Sequence, residues 1–190
     1  RGTASTEILA MAKAVDTKVV FATRSFDTQG MLEQAEVAEV FYAAGISLHL
    51  VGSNYAVEPG TVRKDDQSPV RVYTPFYKRW MIHGWRAPAA DPAKAPNWIG
   101  VDSCDGYPER PDPGSVEIPR AGEAAALELF ETFLAGPIDT YDEDRNRPDL
   151  AGTSRLSIAL KWGEIHPRTL LARLGNSKGH EVFRKEIAWR

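Results

Sequence analysis

With 190 residues, 43% of them apolar, and a net charge of −3, the chain can build the core of one ordinary domain or two small ones, which excludes wholesale disorder. A lone cysteine, Cys104, and four scattered histidines exclude an internal disulfide and offer no metal-ligand spacing, so no metal is expected. No apolar run approaches the roughly 20 residues that span a bilayer, and no signal-peptide pattern opens the chain, so the expected setting is the cytoplasm, away from membranes. Arg1 stands where an initiator methionine would, and Glu186 to Arg190 run on without a helix-stopping Gly or Pro; both ends are expected to be internal to a longer protein.

In chain order, Ser5 to Val15 places Ile8, Leu9, Met11, Ala12 and Val15 on one helical face, and Lys18 to Ala22 is a β-branched run suited to a buried parallel strand. The unit then repeats. Met31 to Ala44 reads as a helix ending at Gly45, followed by a strand over Ile46 to Val51. Helix and strand alternating over short connections predict an α/β layer with a parallel sheet. Glu58 to Val62 is a turn signal, and in the helix predicted over Val72 to Trp85, Thr74 is expected as N-cap with Pro75 at the first helical position.

Residues 86–120 hold seven prolines, from Pro88 to Pro119, and little periodicity, which predicts a linker. Ala121 to Ala135 restores a helical stripe through Leu127, Phe130, Phe133 and Leu134, stopped by Gly136-Pro137. Only helical patterns follow. The predicted fold class is therefore α/β followed by all-α. Charge changes along with class. Residues 141–190 carry 10 Lys+Arg against 7 Asp+Glu, giving +3, whereas residues 1–140 carry 13 against 19, giving −6.

The C-terminal fifty residues hold the candidate chemistry. In GTSRLS, Gly152 to Ser157, either Thr153 or Ser154 can cap a helix whose first N–H groups form an anion site, with Arg155 as charged donor and Ser157 as a further hydroxyl. Tyr141 is positioned to pack on the Thr132–Leu134 helix end, and His166 before Pro167 reads as an N-cap or turn residue. In FRKEIAWR, Glu186, Trp189 and Arg190 fall at i, i+3 and i+4 and so project to one side of a helix. Glu can accept from a pyrimidine N–H, Trp can stack on a base, and Arg can bind a phosphate.

The ordered series Tyr141-x3-Arg145, GTSRLS, Gly163-Glu164-Ile165-x-Pro167-Arg168 and Glu186-Ile187-x-Trp189-Arg190 resembles the flavin-binding domain of DNA photolyases and the related cryptochromes. The stretch PGTV…RVYTPFYKRW, from Pro59 to Trp80, resembles the end of the same family's N-terminal domain. The resemblance implies an incomplete Rossmann-like α/β domain over 1–85, of which this is the C-terminal part, an interdomain linker over 86–120, and the N-terminal part of a helical FAD-binding domain over 121–190. It implies FAD held by Tyr141, Thr153, Ser154, Arg155, Leu156, Ser157 and Phe183, where Phe183 stands in place of the family's frequent Trp. DNA would be contacted by Arg145, Glu186, Trp189 and Arg190, with Glu186 and Trp189 positioning the substrate.

The implied activity is blue-light-driven repair of cyclobutane pyrimidine dimers by electron transfer from reduced FAD, a carbon-carbon lyase reaction needing no protein nucleophile. It belongs to the full-length protein, and the 190-residue chain alone is expected to be inactive. The implied partner is DNA containing pyrimidine dimers, engaged by a monomer. Gln29-Gly30 stands where folate-antenna relatives carry Asn-Glu, so folate is not the expected antenna, and a deazaflavin, favoured over folate, or no antenna is expected. The alternatives are a cryptochrome-like photoreceptor that binds flavin without repair, and a non-catalytic nucleotide- or DNA-binding protein.

Overall fold

The computed structural model describes residues 2–90, 92–100, 109 and 111–190; Cys104 and Pro108, within the expected linker, lie outside the described residues. The chain forms two compact units, Arg1–Ser53 with Ala90–Glu117, and Asn54–Ala89 with Ile118–Arg190. The first is α/β and the second helical, as the sequence pattern predicts. Residues 54–89 group with the second unit, where the helix after Val72 packs its aromatic side into the helical core. Among the described residues of 86–120 no helix or strand forms.

The first unit runs α1 (Ala4–Ala14), β1 (Val19–Ala22), α2 (Thr28–Ala43), β2 (Ser47–Leu50). Thr3 caps α1 by accepting from the Thr6 N–H, and Asp27 caps α2 by accepting from the Gly30 N–H at 2.8 Å. That cap starts α2 three residues before the expected Met31. Gln29 then donates to Glu33 at 2.8 Å one turn along, and a Cβ on Gly30 would lie 2.7 Å from that of Ser25. At the far end Gly45 takes φ +68°, the left-handed turn that ends a helix. Ser5 Oγ donates to Glu36 at 2.5 Å, joining the two helices.

Strands β1 and β2 pair in parallel with Val19 opposite Ser47 and Ala22 opposite Leu50. They are not the fully buried strands the apolar runs suggest. Val20 and Leu48 turn inward to Ala12, Val37, Phe41 and Ile46, while Val19 and Phe21 are exposed, with Phe21 stacked on His49 at 5.2 Å. Successive side chains of a strand point to opposite faces, and among the described residues one face of this sheet packs on helices. The α1 stripe is narrower than expected for a related reason: Ala12 is buried and Leu9 partly so, but Ile8 and Met11 remain exposed.

The second unit comprises α3 (Tyr73–His83), α4 (Glu123–Leu134), α5 (Tyr141–Asp144), α6 (Ser157–Trp162), α7 (Pro167–Leu171) and α8 (Lys178–Trp189). Its core gathers Trp80 from α3, Phe130 and Phe133 from α4, Tyr141 from α5, Leu170 from α7 and Phe183 with Ile187 from α8. Helix α3 begins at Tyr73 and not after Thr74: the Phe76 N–H already donates to the Val72 carbonyl, which makes Val72 the N-cap, without a side-chain bond, and leaves Pro75 inside the first turn. Tyr73 Oη donates to the Lys185 carbonyl at 2.7 Å, fastening α3 to α8.

Helix α8 lies so close to the α4–α5 connection that a Cβ on Gly179 would sit 1.8 Å from the Ile138 carbonyl oxygen. Gly179→Ala therefore forces α8 away from backbone that cannot rotate aside. We expect a loss of about 2 kcal/mol or more, read as a lower midpoint in urea unfolding.

A second expectation concerns pH. Burial, then Tyr77 and the Glu186 carboxylate, push the Tyr73 phenol up to about 12, against the opposing pull of Arg145. An unfolded tyrosine ionises near pH ~10, so the folded chain resists an ionisation that the unfolded chain undergoes. The stability linked to Tyr73 is complete below that pH and is lost as pH rises from about 10 towards 12. Unfolding midpoints across this window should fall more steeply for the wild type than for Tyr73→Phe; equal slopes would show that the phenol is not the linked group.

Candidate nucleotide and nucleic-acid site

Helix α8 buries Phe183, Ile187 and Ala188, leaves Glu186 half-buried and exposes Trp189 and Arg190 at its end. Glu186 accepts a hydrogen bond from Arg145 Nη1, so two residues 41 positions apart form one ion pair, each about a third exposed. The Arg145 guanidinium also stands 6.0 Å from the Tyr141 ring centre. Trp189 is 67% exposed, and its ring meets Tyr73 edge-on at 4.5 Å and 86°. Arg190 donates to the Asn54 carbonyl at 2.5 Å and to the Leu160 carbonyl, with its guanidinium 5.6 Å from the Tyr55 ring centre. Burial pulls the Arg190 pKa below its ordinary value.

Between α3, α8 and the Tyr55–Gly60 segment lies a cleft of about 350 Å³. Tyr55, Tyr73 and Trp189 line it with aromatic surface, and Arg71 and Arg190 add positive charge. Tyr55 and Tyr73 escaped the sequence reading as site residues. The signal that could have found the second is the i, i+4 spacing of Tyr73 and Tyr77, which puts two aromatic rings on one side of a helix.

The GTSRLS segment folds differently from expectation. Helix α6 starts at Ser157 with Leu156 at its N-cap, and neither Thr153 nor Ser154 caps it. Arg155 takes φ +52°, which interrupts the helical path, and Ser154 Oγ accepts only a long 3.5 Å bond from the Leu156 N–H. The expected capping of α6 by Thr153 or Ser154 is therefore not formed, and its start carries no side-chain cap. What the segment does present is a donor set: Thr153, Arg155 and Ser157 are exposed and Ser154 is half-buried. Hydroxyls with a guanidinium match the chemistry of a diphosphate. The Leu156 side chain is 1% exposed, so only its backbone is available to a ligand.

Tyr141 and Phe183 are core residues, meeting edge-to-face at 5.4 Å, each also against Phe133. Burial, then the Glu186 carboxylate, raises the Tyr141 phenol above its usual range. Arg155 lines a separate cleft of about 310 Å³ with Ile158, Trp162 and Leu129. The expected site residues thus fall into three groups: Arg145, Glu186, Trp189 and Arg190 about the end of α8, residues 153–157 leading into α6, and Tyr141 with Phe183 in the core. His166 acts as the expected N-cap, its Nδ1 accepting from the Arg168 N–H at 3.1 Å. No helix among the described residues is long and apolar enough to cross a membrane, and no group of three metal-ligating side chains occurs among them.

The family model described as DNA photolyase matches residues 1–97. A protein named deoxyribodipyrimidine photo-lyase from Thermus thermophilus is 35% identical over 182 residues, covering 94% of this chain and 40% of that protein. One of the same name from Agrobacterium fabrum is 30% identical, covering 88% of this chain and 38% of that protein. Among solved structures, a bacterial class III photolyase from Agrobacterium tumefaciens superposes with a TM-score of 0.77 at 26% identity, over 100% of this chain and 42% of that one. A Synechocystis cryptochrome shares the fold, with a TM-score of 0.80 at 20% identity, over 100% of this chain and 43% of that one. The chain thus spans about 40% of the length of its first curated relatives, and a match reaching from its first residue through the whole α/β pattern, joined to the helical unit described above, makes it a member of the DNA photolyase family.

Proposed function

We propose that the full-length protein carrying this chain repairs cyclobutane pyrimidine dimers in DNA, using blue light and reduced FAD. The observation that supports the reading most is the last turn of α8, where Glu186, held by Arg145, is followed three residues on by the exposed ring of Trp189. A carboxylate acceptor and a flat apolar ring on one helix face suit an extruded pyrimidine pair, whose N–H groups need an acceptor and whose faces need a stacking partner. In this reading 1–85 is the last part of the α/β domain, 86–120 the linker, and 121–190 the first part of the helical flavin domain.

FAD, when bound and excited, supplies the electron that opens the dimer. The residues of this chain hold and orient. Thr153, Ser154, Arg155 and Ser157 donate to its phosphates, Leu156 contributes its backbone, and Tyr141 and Phe183 form the aromatic wall that keeps α5 and α8 in place. Arg145 and Arg190 attract the DNA backbone, using N–H groups beyond those committed to Glu186, Asn54 and Leu160. The protein acts as a monomer in the cytoplasm. Gln29 and Gly30 are engaged in starting α2, and we assign the antenna, if one binds, to the deazaflavin class.

Two measurements test the reading. In the full-length protein, Arg155→Ala with Ser157→Ala removes charge-assisted and hydroxyl donors worth roughly 1.5–3 kcal/mol each to phosphate, less where water replaces them. Flavin retention in equilibrium dialysis should fall accordingly; unchanged retention removes the 153–157 segment from the site. Trp189→Ala deletes a stacking platform worth about 1–3 kcal/mol per base, so dimer-containing DNA should bind roughly 5- to 150-fold more weakly while undamaged DNA changes little. Glu186→Ala should lower light-dependent repair at fixed salt. Should both variants repair as the wild type does, with flavin bound, the signalling photoreceptor becomes the better account.

A further inference from the structure

An exposed tryptophan at a helix end ordinarily samples several rotamers, yet Trp189 has one well-defined neighbour. Tyr73 touches α8 twice, one turn apart: its hydroxyl donates to the Lys185 carbonyl at 2.7 Å, and its ring meets the Trp189 indole at 4.5 Å and 86°. Edge-to-face is the arrangement that aromatic quadrupoles favour, and such a contact shifts rotamer populations roughly 2- to 10-fold.

Tyr73 is itself held from behind. Its ring stacks 6.0 Å from Tyr77, Tyr77 stacks 6.1 Å from Trp80, and Trp80 lies 4.5 Å from Trp85. Trp80 is 3% exposed and belongs to the core. Lys185, whose carbonyl receives the Tyr73 hydroxyl, places its ammonium 5.8 Å from the Tyr77 ring centre and pairs with Glu181 at 2.7 Å. A column of aromatic rings rooted in the core therefore ends against the one exposed ring of the α8 face.

We propose that Tyr73 is a positioning residue for Trp189, fixing the plane of the indole so that a base meets its face and not its edge. The inference rests on the reading of Trp189 as a base-stacking residue. Its physical basis is preorganisation: a ring held in its binding orientation before the ligand arrives loses less freedom on binding.

The test uses the full-length protein labelled with 5-fluorotryptophan, with the Trp189 fluorine line assigned by Trp189→Phe. In Tyr73→Leu that line should shift or broaden, and a duplex carrying one pyrimidine dimer should bind about 3- to 10-fold more weakly while the undamaged duplex binds as before. In Tyr73→Phe, which keeps the ring and loses the hydroxyl, the line should stay near its wild-type position and binding should change less than 2-fold. On a Trp189→Ala background, Tyr73→Leu should cost nothing further. Tyr73→Met, which also lacks a ring edge and whose unbranched side chain adapts more readily to the space, serves in place of Tyr73→Leu should the latter not fold.

An unmoved Trp189 line in Tyr73→Leu overturns the proposal. So does an equal loss of damaged-DNA binding with and without Trp189, which would mean that Tyr73 acts directly. If the line moves but Trp189→Ala binds the lesion like the wild type, the positioning holds and the stacking role assigned under the proposed function is what fails.

Discussion

Helix α8 can present chemistry because it is held along a seam spaced at intervals of four. Gly179, Phe183 and Ile187 form that seam, and the first of them lets the helix backbone press against the Ile138 carbonyl. Close approach brings Phe183 within reach of Tyr141 and Phe133, and those rings fill the space where α4, α5 and α8 meet. Once the seam is fixed, the 100° step of the helix turns Trp189 about 80° off the line of Gly179, while Glu186 and Arg190 fall beside the seam, where they meet Arg145 and the Asn54 and Leu160 carbonyls. A site built on so constrained an element inherits its rigidity.

The electrostatics of the C-terminal region depend on pairing. Its surplus of arginines suggests a surface free to attract phosphates, but most of these side chains already hold protein acceptors. Arg145 is bound to Glu186, Arg173 to Glu131 and Arg147 to Asp149, while Arg168, Arg184 and Arg190 donate to backbone carbonyls. Exposed pairs of this kind add little stability, a median of ~0–1 kcal/mol. Their effect here is on presentation: attraction for an anion comes from the net field of the region, with each guanidinium reaching out from a fixed anchor.

The elements of this chain were legible in its sequence wherever local spacing decides them. Four helix and strand positions of the first unit, the Gly45 stop, the Gly136-Pro137 stop and the His166 cap all follow from rules acting within a few residues. Errors arose where a distant contact overrides a local signal. Thr74 looks like a cap, but the backbone closes its first turn on Val72 and sends Tyr73 to Lys185, 112 residues away. Thr153 and Ser154 look like caps, but Arg155 adopts a left-handed conformation that no local pattern announces. The Arg145–Glu186 pair joins two motifs that the sequence offers separately, so its existence was invisible although both members were named.

The strands carry a different kind of consequence. The described sheet has two strands and therefore no central one: among the described residues each strand pairs with a strand on one flank only. Its uncovered face displays Val19, Phe21 and His49. An unpaired flank beside an apolar face is a template that accepts another strand regardless of where that strand comes from. Residues 2–53 handled alone would thus be vulnerable to self-association through β1 and β2, and the hazard grows with concentration, independently of how well the two helices pack.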